Sequence, residues 1–171
     1  MQLTQYYPQF FTATILEWKP LLKDDKYKDI IIESLRFLVK EKRVIVYAFV
    51  IMSNHLHLVW QIQAGHTREN VQRDFLKFTG QMLKYELQKN NTALLQSFSV
   101  LAKDRQYRFW ERHALSIDLF SVAVLLQKIA YIHQNPLKAG LCSLVELYKY
   151  SSAGFYETGK DDFGFIEHIK G

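Results

Sequence analysis

A single cysteine, Cys142, in 171 residues leaves no disulfide framework and no cysteine-based zinc site. As a lone thiol it reads as a small buried hydrophobe. Proline is scarce as well: Pro8, Pro20 and Pro136 stand at apparent element edges, and no Pro-, Gly- or Ser-rich linker separates the chain into parts. There is no internal repeat and no low-complexity stretch. The longest apolar run, Val44 to Met52, is strand-sized and far short of a membrane span. No N-terminal segment has the pattern of a secretory signal. These absences point to a cytoplasmic protein with no membrane partner. Its length suits one domain over 1–171, with a core over about 1–150 and a C-terminal arm over 151–171.

What the chain has instead is a core and a positive charge. Hydrophobic residues make up 49% and aromatics 15%, enough for a packed interior. The formal net charge is +5 and the sequence pI about 9.2, which favours a polyanionic partner without proving one. From Glu157 onward the acids Glu157, Asp161, Asp162 and Glu167 outnumber Lys160 and Lys170, so the preceding body is more basic than the average.

Periodicity gives the order of elements. Phe10 to Trp18 is rich in β-branched and aromatic residues and reads as a strand. Tyr27, Ile31, Leu35 and Leu38 recur at helical spacing and predict an amphipathic helix over 24–40. Val44 to Met52 is apolar on both faces, as a central strand is. Ser53 and Asn54 then turn the chain into a partner strand, His55 to Ile62. A second helix is predicted over about 69–89, with Val71, Phe75, Phe78, Met82 and Tyr85 as its apolar stripe. Residues 90–106 suggest a short helix and a loop. A fourth strand is expected from Tyr107 to about Ser116, and a third helix from a cap at Asp118 to about Asn135. The order β-α-β-β-α-β-α begins as a ferredoxin-like split β-α-β, an α+β antiparallel sheet with two helices on one face. The third helix is left to cover the other face.

Two constellations carry candidate chemistry. In a strand, residues i and i+2 share a face, so His55 and His57 project together while Leu56, Leu58, Trp60 and Ile62 point the other way. Two adjacent imidazoles suit a divalent metal. The bare motif is weak, since six histidines yield an H-x-H in about one shuffled sequence in six, and a pair of partly exposed strand histidines is the plain alternative. The second constellation is YIHQN, residues 131–135. Tyr131 and Asn135 lie one helical turn apart on one face, with Gln127 and Lys128 a turn earlier. Asn135 followed by Pro136 reads as a helix boundary, with Asn135 able to cap a new short turn that Gly140 ends. Taken alone, Tyr131 is one of ten tyrosines, and an amphipathic packing role is the plainer reading. His133, facing elsewhere, reads as structural.

YAFVIMSNHLHLVWQ (Tyr47 to Gln61) resembles the HUH segment of the small tyrosine transposases, REP-associated members included. YIHQNPLKAGL (Tyr131 to Leu141) is similar to the second signature of that family. RFWERHA (Arg108 to Ala114) and YKYSSAGFY (Tyr148 to Tyr156) resemble related stretches, so the likeness spans roughly 7–156. The two signatures in this order are far more specific than either alone. The resemblance implies a single-strand DNA endonuclease and transposase. His55 and His57 would bind Mg²⁺ or Mn²⁺, and Tyr131 would attack a phosphodiester and remain joined to the 5′-phosphate. Many insertion-sequence relatives carry a glutamine ligand four residues after the nucleophile. Here Asn135 fills that slot, as in REP-associated members, and Gln134 is the alternative third ligand.

The metal would act as a Lewis acid on the scissile phosphate. A tyrosine hydroxyl ordinarily titrates near pH ~10, and no general base stands out; Lys128 is a candidate to steady the phenolate, or a plain solvated lysine. No P-loop pattern is present, and a phosphotyrosine bond that conserves the phosphodiester energy needs no nucleotide. Arg73, Lys77 and Lys84 are candidates to follow a phosphate backbone, as is Lys128, with Tyr107 and Trp110 expected as exposed aromatics that stack on unpaired bases. The resemblance further implies single-stranded DNA with a hairpin or imperfect palindrome as partner, a bacterial nucleoid setting and a possible homodimer. Two other readings stand beside it: a domesticated DNA-binding protein of the same fold that no longer transposes, and a metal-independent ferredoxin-like nucleic-acid binder.

Overall fold

Alternation along one strand divides the molecule into two cores. The structure, a computed structural model, describes residues 6–170; the remaining terminal positions of the expected 1–171 domain lie outside the described residues. The strands are β1 (Pro8–Thr14), β2 (Val44–Ile51), β3 (His55–Ile62) and β4 (Leu115–Asp118). The helices are α1 (Asp25–Lys40), α2 (Arg68–Asn90), α3 (Thr92–Gln96), α4 (Val122–Lys138) and α5 (Ala153–Thr158). Antiparallel pairing gives the sheet order β2-β3-β1-β4. Each crossover, β1-α1-β2 and β3-α2-β4, leaves room for one strand between its ends. This is the split β-α-β arrangement the periodicity predicts, and the fold is α+β and ferredoxin-like.

On one face, Phe11, Leu56, Leu58 and Trp60 meet Ile31 and Leu35 of α1 and Val71 and Phe75 of α2, all essentially buried. On the other face, Phe10, Ala48, Val50 and Val59 meet Leu125, Ile129 and Ile132 of α4. Each such side chain contributes about 1.5–3 kcal/mol on burial, so a few anchors seat α4 on the sheet. A bulge between Val46 and Ala48 resets β2, so that Val46 and Phe49 both reach the larger core while Ala48 and Val50 face α4.

Several expectations need correction. The strand expected over 10–18 ends at Thr14, and residues Leu16–Trp18 form a 3₁₀ turn in which Glu17 and Trp18 take positive φ. The buried stripe of α2 is Val71, Phe75, Thr79, Leu83 and Leu87, whereas Phe78, Met82 and Tyr85 are exposed. A polar residue holds its centre: Thr79 donates to the Phe75 carbonyl at 2.8 Å and accepts from the Trp110 indole at 3.0 Å. The fourth strand is only Leu115–Asp118, because residues 107–114 divide their backbone bonds between two partners. The Arg108 amide donates to the Phe98 carbonyl, and the Glu111 amide to that of Thr14. Cys142 is half-buried, not fully inside.

The third helix differs at both ends. Asp118 closes β4, and the cap is Ser121, whose hydroxyl accepts from the Val124 amide at 3.2 Å. The helix does not break at Asn135. Pro136 lies inside it, and it ends at Lys138 with Gly140 at φ 74°. The Leu141 amide reaches the Pro136 carbonyl and the Gly140 amide the Leu137 carbonyl, a Schellman closure. Proline is tolerated because it costs one hydrogen bond in a last turn whose carbonyls are satisfied from beyond. Asn135 is therefore a helical residue, not a cap.

After α4 the chain runs along the outer edge of β2. The Ile51 amide donates to the Tyr150 carbonyl, Ser152 to Phe49 and Glu167 to Val46. An edge strand that would otherwise offer unpaired backbone is covered in this way.

Candidate active site

β3 sets the histidines and β1 orients them. Thr12 pairs with His57 across the ladder, and its hydroxyl lies 2.7 Å from His57 Nδ1. His55 Nδ1 lies 2.7 Å from the Asn54 side-chain oxygen, which accepts its proton and fixes the tautomer. The Thr12 hydroxyl accepts from His57 in the same way when Nδ1 carries the proton. Both Nε2 lone pairs are then free of protein partners among the described residues. The two ring centroids are 4.8 Å apart. Burial, with the charges of His55 and Lys128 adding to it, pushes His57 down to about 3, and burial lowers His55 as well. Both imidazoles are thus neutral at pH 7, the form that ligates a metal.

α4 brings Tyr131 to this pair. The Tyr131 ring lies 5.4 Å from His57 and 6.0 Å from Phe10, which itself stacks on His57 at 5.3 Å. Tyr131 is nevertheless 46% exposed. The Lys128 ammonium stands 4.8 Å over Phe10 and 5.9 Å from the Tyr131 centroid. Tyr131 of α4 and the His55–His57 pair of β3 thus stand in one place.

Asn135, one turn beyond Tyr131, is half-buried and hydrogen-bonds neither histidine; Gln134 is exposed. No three His, Cys, Asp or Glu side chains stand together as a metal site among the described residues. The donors present are therefore two imidazole nitrogens with oriented outer partners, plus an amide one turn past the tyrosine. That set fits a hard divalent ion which keeps several positions for water or phosphate. His133 points away: its Nε2 lies 2.7 Å from the Ser152 hydroxyl and its ring packs on Tyr156.

The candidate nucleic-acid residues divide. Arg73, Lys77, Lys84, Tyr107 and Trp110 line one open groove of about 1020 Å³ between α2 and residues 104–114. Lys128 is not among them and belongs to the Tyr131 site. Arg105, Arg108 and Arg112 join the groove's basic wall, with Asp104 and Glu111 as its acids. Trp110 cannot stack on a base as expected. It is only 7% exposed, its ring packed in the core and its N–H spent on Thr79. Tyr107 is half-buried under the Lys84 ammonium. The exposed tryptophan is Trp18, whose ring lies 6.2 Å from His55. Sequence reading missed it because FFTATILEW looked like one continuous strand.

The chain shares its fold with the tyrosine transposases. A solved REP-associated tyrosine transposase bound to a REP hairpin superposes with a TM-score of 0.66 over 99% of this chain and 93% of that one, at 15% identity. A Deinococcus radiodurans R1 protein provisionally assigned as a transposase is more distant, with a TM-score of 0.45 over 78% of this chain and 94% of that one, at 17% identity. No protein-family model and no curated protein sequence matches the chain.

Proposed function

We propose that the chain is an HUH-type tyrosine nuclease and strand transferase acting on hairpin-bearing single-stranded DNA. The observation that carries this reading is the convergence of Tyr131 on the His55–His57 pair, with neither Nε2 atom hydrogen-bonded among the described residues. The hairpin partner is suggested by the solved transposase of the same fold, which is bound to one.

Tyr131 Oη attacks the phosphorus, the P–O3′ bond breaks, and the 5′-phosphate is left on the tyrosine beside a free 3′-hydroxyl. The phenolic proton ends on the departing O3′. A 3′-hydroxyl attacking the phosphotyrosine reverses the exchange and rejoins DNA, so no nucleotide cofactor enters the balance. Lys128 sits where its charge favours the developing phenolate. His55, His57 and Asn135, or Gln134 in its place, would hold Mg²⁺ or Mn²⁺, which when bound supplies charge stabilisation at the phosphate oxygens. Phe10 keeps water from the inner side of His57. The groove of Arg73, Lys77 and Lys84 follows the phosphate backbone. A homodimer fits the same reading, since β4 ends the sheet with Leu115 and Ile117 exposed; sedimentation velocity measures it.

The test is to incubate the protein with hairpin oligonucleotides and Mn²⁺ and separate products under denaturing conditions. A covalent protein–DNA adduct is expected from wild type and none from Tyr131→Phe or the double variant His55→Ala, His57→Ala. An adduct that survives Tyr131→Phe sinks the nucleophile, and cleavage indifferent to chelator sinks the metal. Binding without any adduct favours the domesticated DNA-binding protein.

A further inference from the structure

Two consecutive residues beside the site, Glu17 and Trp18, hold left-handed backbone at φ 57° and 58°. Neither is glycine, and such conformations persist only where the surroundings impose them. Here the surroundings do. The Ile15 amide bonds the Asn54 carbonyl and the Leu16 amide the Phe109 carbonyl, both at 2.8 Å. The Glu17 amide donates to the Glu111 carboxylate at 2.6 Å, and the Asn54 side-chain amide makes a long 3.4 Å bond to the Trp18 carbonyl. Asn54 thereby touches both His55 Nδ1 and the Trp18 backbone, so the two rings are placed by one side chain.

All this restraint presents an indole to solvent. Trp18 is 63% exposed, while Trp60 and Trp110 are 0% and 7% exposed. It walls a cavity of about 340 Å³ with Thr12, Thr14, Arg112, His113 and Leu115. Thr12 is the partner of His57, so the cavity adjoins the histidines. Arg112 is exposed, forms no ion pair among the described residues, and also lines the basic groove along α2. A flat aromatic face with an unpaired cation at its rim suits a base and its phosphate.

We infer that Trp18 is a stacking platform for one unpaired nucleobase next to the scissile phosphate, with Arg112 taking the adjoining phosphate. This rests on the single-stranded DNA reading above and adds Trp18, which lies outside the four transposase-like stretches. Bases inside a duplex do not use the platform, because stacked neighbours cover both of their faces. The site therefore contributes selectivity for unpaired flanks.

The test uses the full chain carrying Tyr131→Phe, so that binding is read without cleavage. Three probes are added: a DNA hairpin with unpaired mixed-sequence arms, the same hairpin with a blunt end, and the armed hairpin made abasic through its arms. Intrinsic tryptophan fluorescence reports on Trp18, the exposed indole. The armed hairpin is expected to quench it more strongly than the blunt and abasic ones do. Trp18→Ala is expected to weaken armed-hairpin binding about tenfold and Trp18→Phe less, with blunt-hairpin binding equal in all three proteins. The exposed position leaves little for either substitution to unfold, and circular dichroism checks this. Equal quenching by blunt and armed hairpins overturns the inference, as does an armed affinity unmoved by Trp18→Ala. If wild type forms the Tyr131 adduct yet shows no arm-dependent quenching, the platform alone fails. If no DNA binds at all, the parent reading fails and takes the platform with it.

Discussion

Thr12 is a small residue on which much of the site depends. Its hydroxyl is 2.7 Å from His57 Nδ1 and holds the ring that both Phe10 and Tyr131 contact. Outer partners of this kind orient a ligating imidazole and raise its basicity, and losing one costs about 10- to 100-fold in metal affinity. Thr12→Val keeps the β-branched shape on the strand and removes only the oxygen. Calorimetric titration with Mn²⁺ should show affinity reduced by about that factor, with thermal stability little changed. An unchanged affinity would mean that Thr12 plays no part in a metal site. At this scale alternation made the histidine pair legible, whereas Tyr131 stood out from ten tyrosines only through its resemblance to a transposase signature. His55 and His57 fall on one face, and Tyr131 falls on the face of α4 that meets them. Trp18 and Trp110 were not legible. Exposure of an aromatic depends on which loop covers it, and Trp110 is hidden by a threonine on a helix far away in sequence.

Elements are joined across the second face by His133. α4 carries it toward the C-terminal segment, where its Nε2 lies 2.7 Å from the Ser152 hydroxyl, and Ser152 in turn accepts from the Phe49 amide of β2. Burial pushes His133 down to about 4 from an ordinary 6.5. The sign follows directly. Between these values the unfolded chain binds a proton that the folded chain refuses, so stability falls as pH drops from about 6.5 toward 4 and is full above it. In His133→Gln that contribution disappears, although His57 still titrates in both proteins. Urea unfolding at pH 7 and at pH 4.5 should show the wild type losing about 1–2 kcal/mol more than the variant. An equal loss would place the His133 proton outside the folding equilibrium. Helix and strand bounds in this region show why elements are only partly legible. Although the stripe expected of α2 is wrong from Phe78 onward, the bounds of β3 and α2 fall where expected. β4 and the end of α4 do not. Their limits are set by backbone partners at Thr14, Phe98 and Leu141 that no local window contains.

For the molecule as a whole, the decisive partner is the last twenty-odd residues, which close the free edge of β2. Tyr150 is 3% exposed and its hydroxyl donates to Asp29 of α1 at 2.7 Å, while Phe163 and Phe165 pack on Phe49 at 5.2 and 5.7 Å. Ile166 bridges Val46 in parallel, and the Glu167 amide completes the edge. The sequence sets residues 151–171 apart as a C-terminal arm, and the aromatics of this stretch are part of the larger core. Ending the chain at Gly159 keeps Ser152 and the His133 contact but strips Phe163, Phe165 and Ile166 from β2. The lost burial alone is about 3–6 kcal/mol, a large share of the stability of an ordinary domain. The same cut bares part of an apolar strand edge, a template for pairing with another copy. The truncated chain should therefore melt well below the full one and form aggregates on mild heating, both readable by light scattering during a thermal scan. Phe165→Ala in the full chain separates the two causes, since it removes core contact while leaving the Ile166 and Glu167 backbone on the edge. Lower melting without aggregation in that variant, against both in the truncation, would assign edge protection to the backbone of the arm and stability to its aromatics. Aggregation from Phe165→Ala alone would instead show that the side chain holds the whole strap in place.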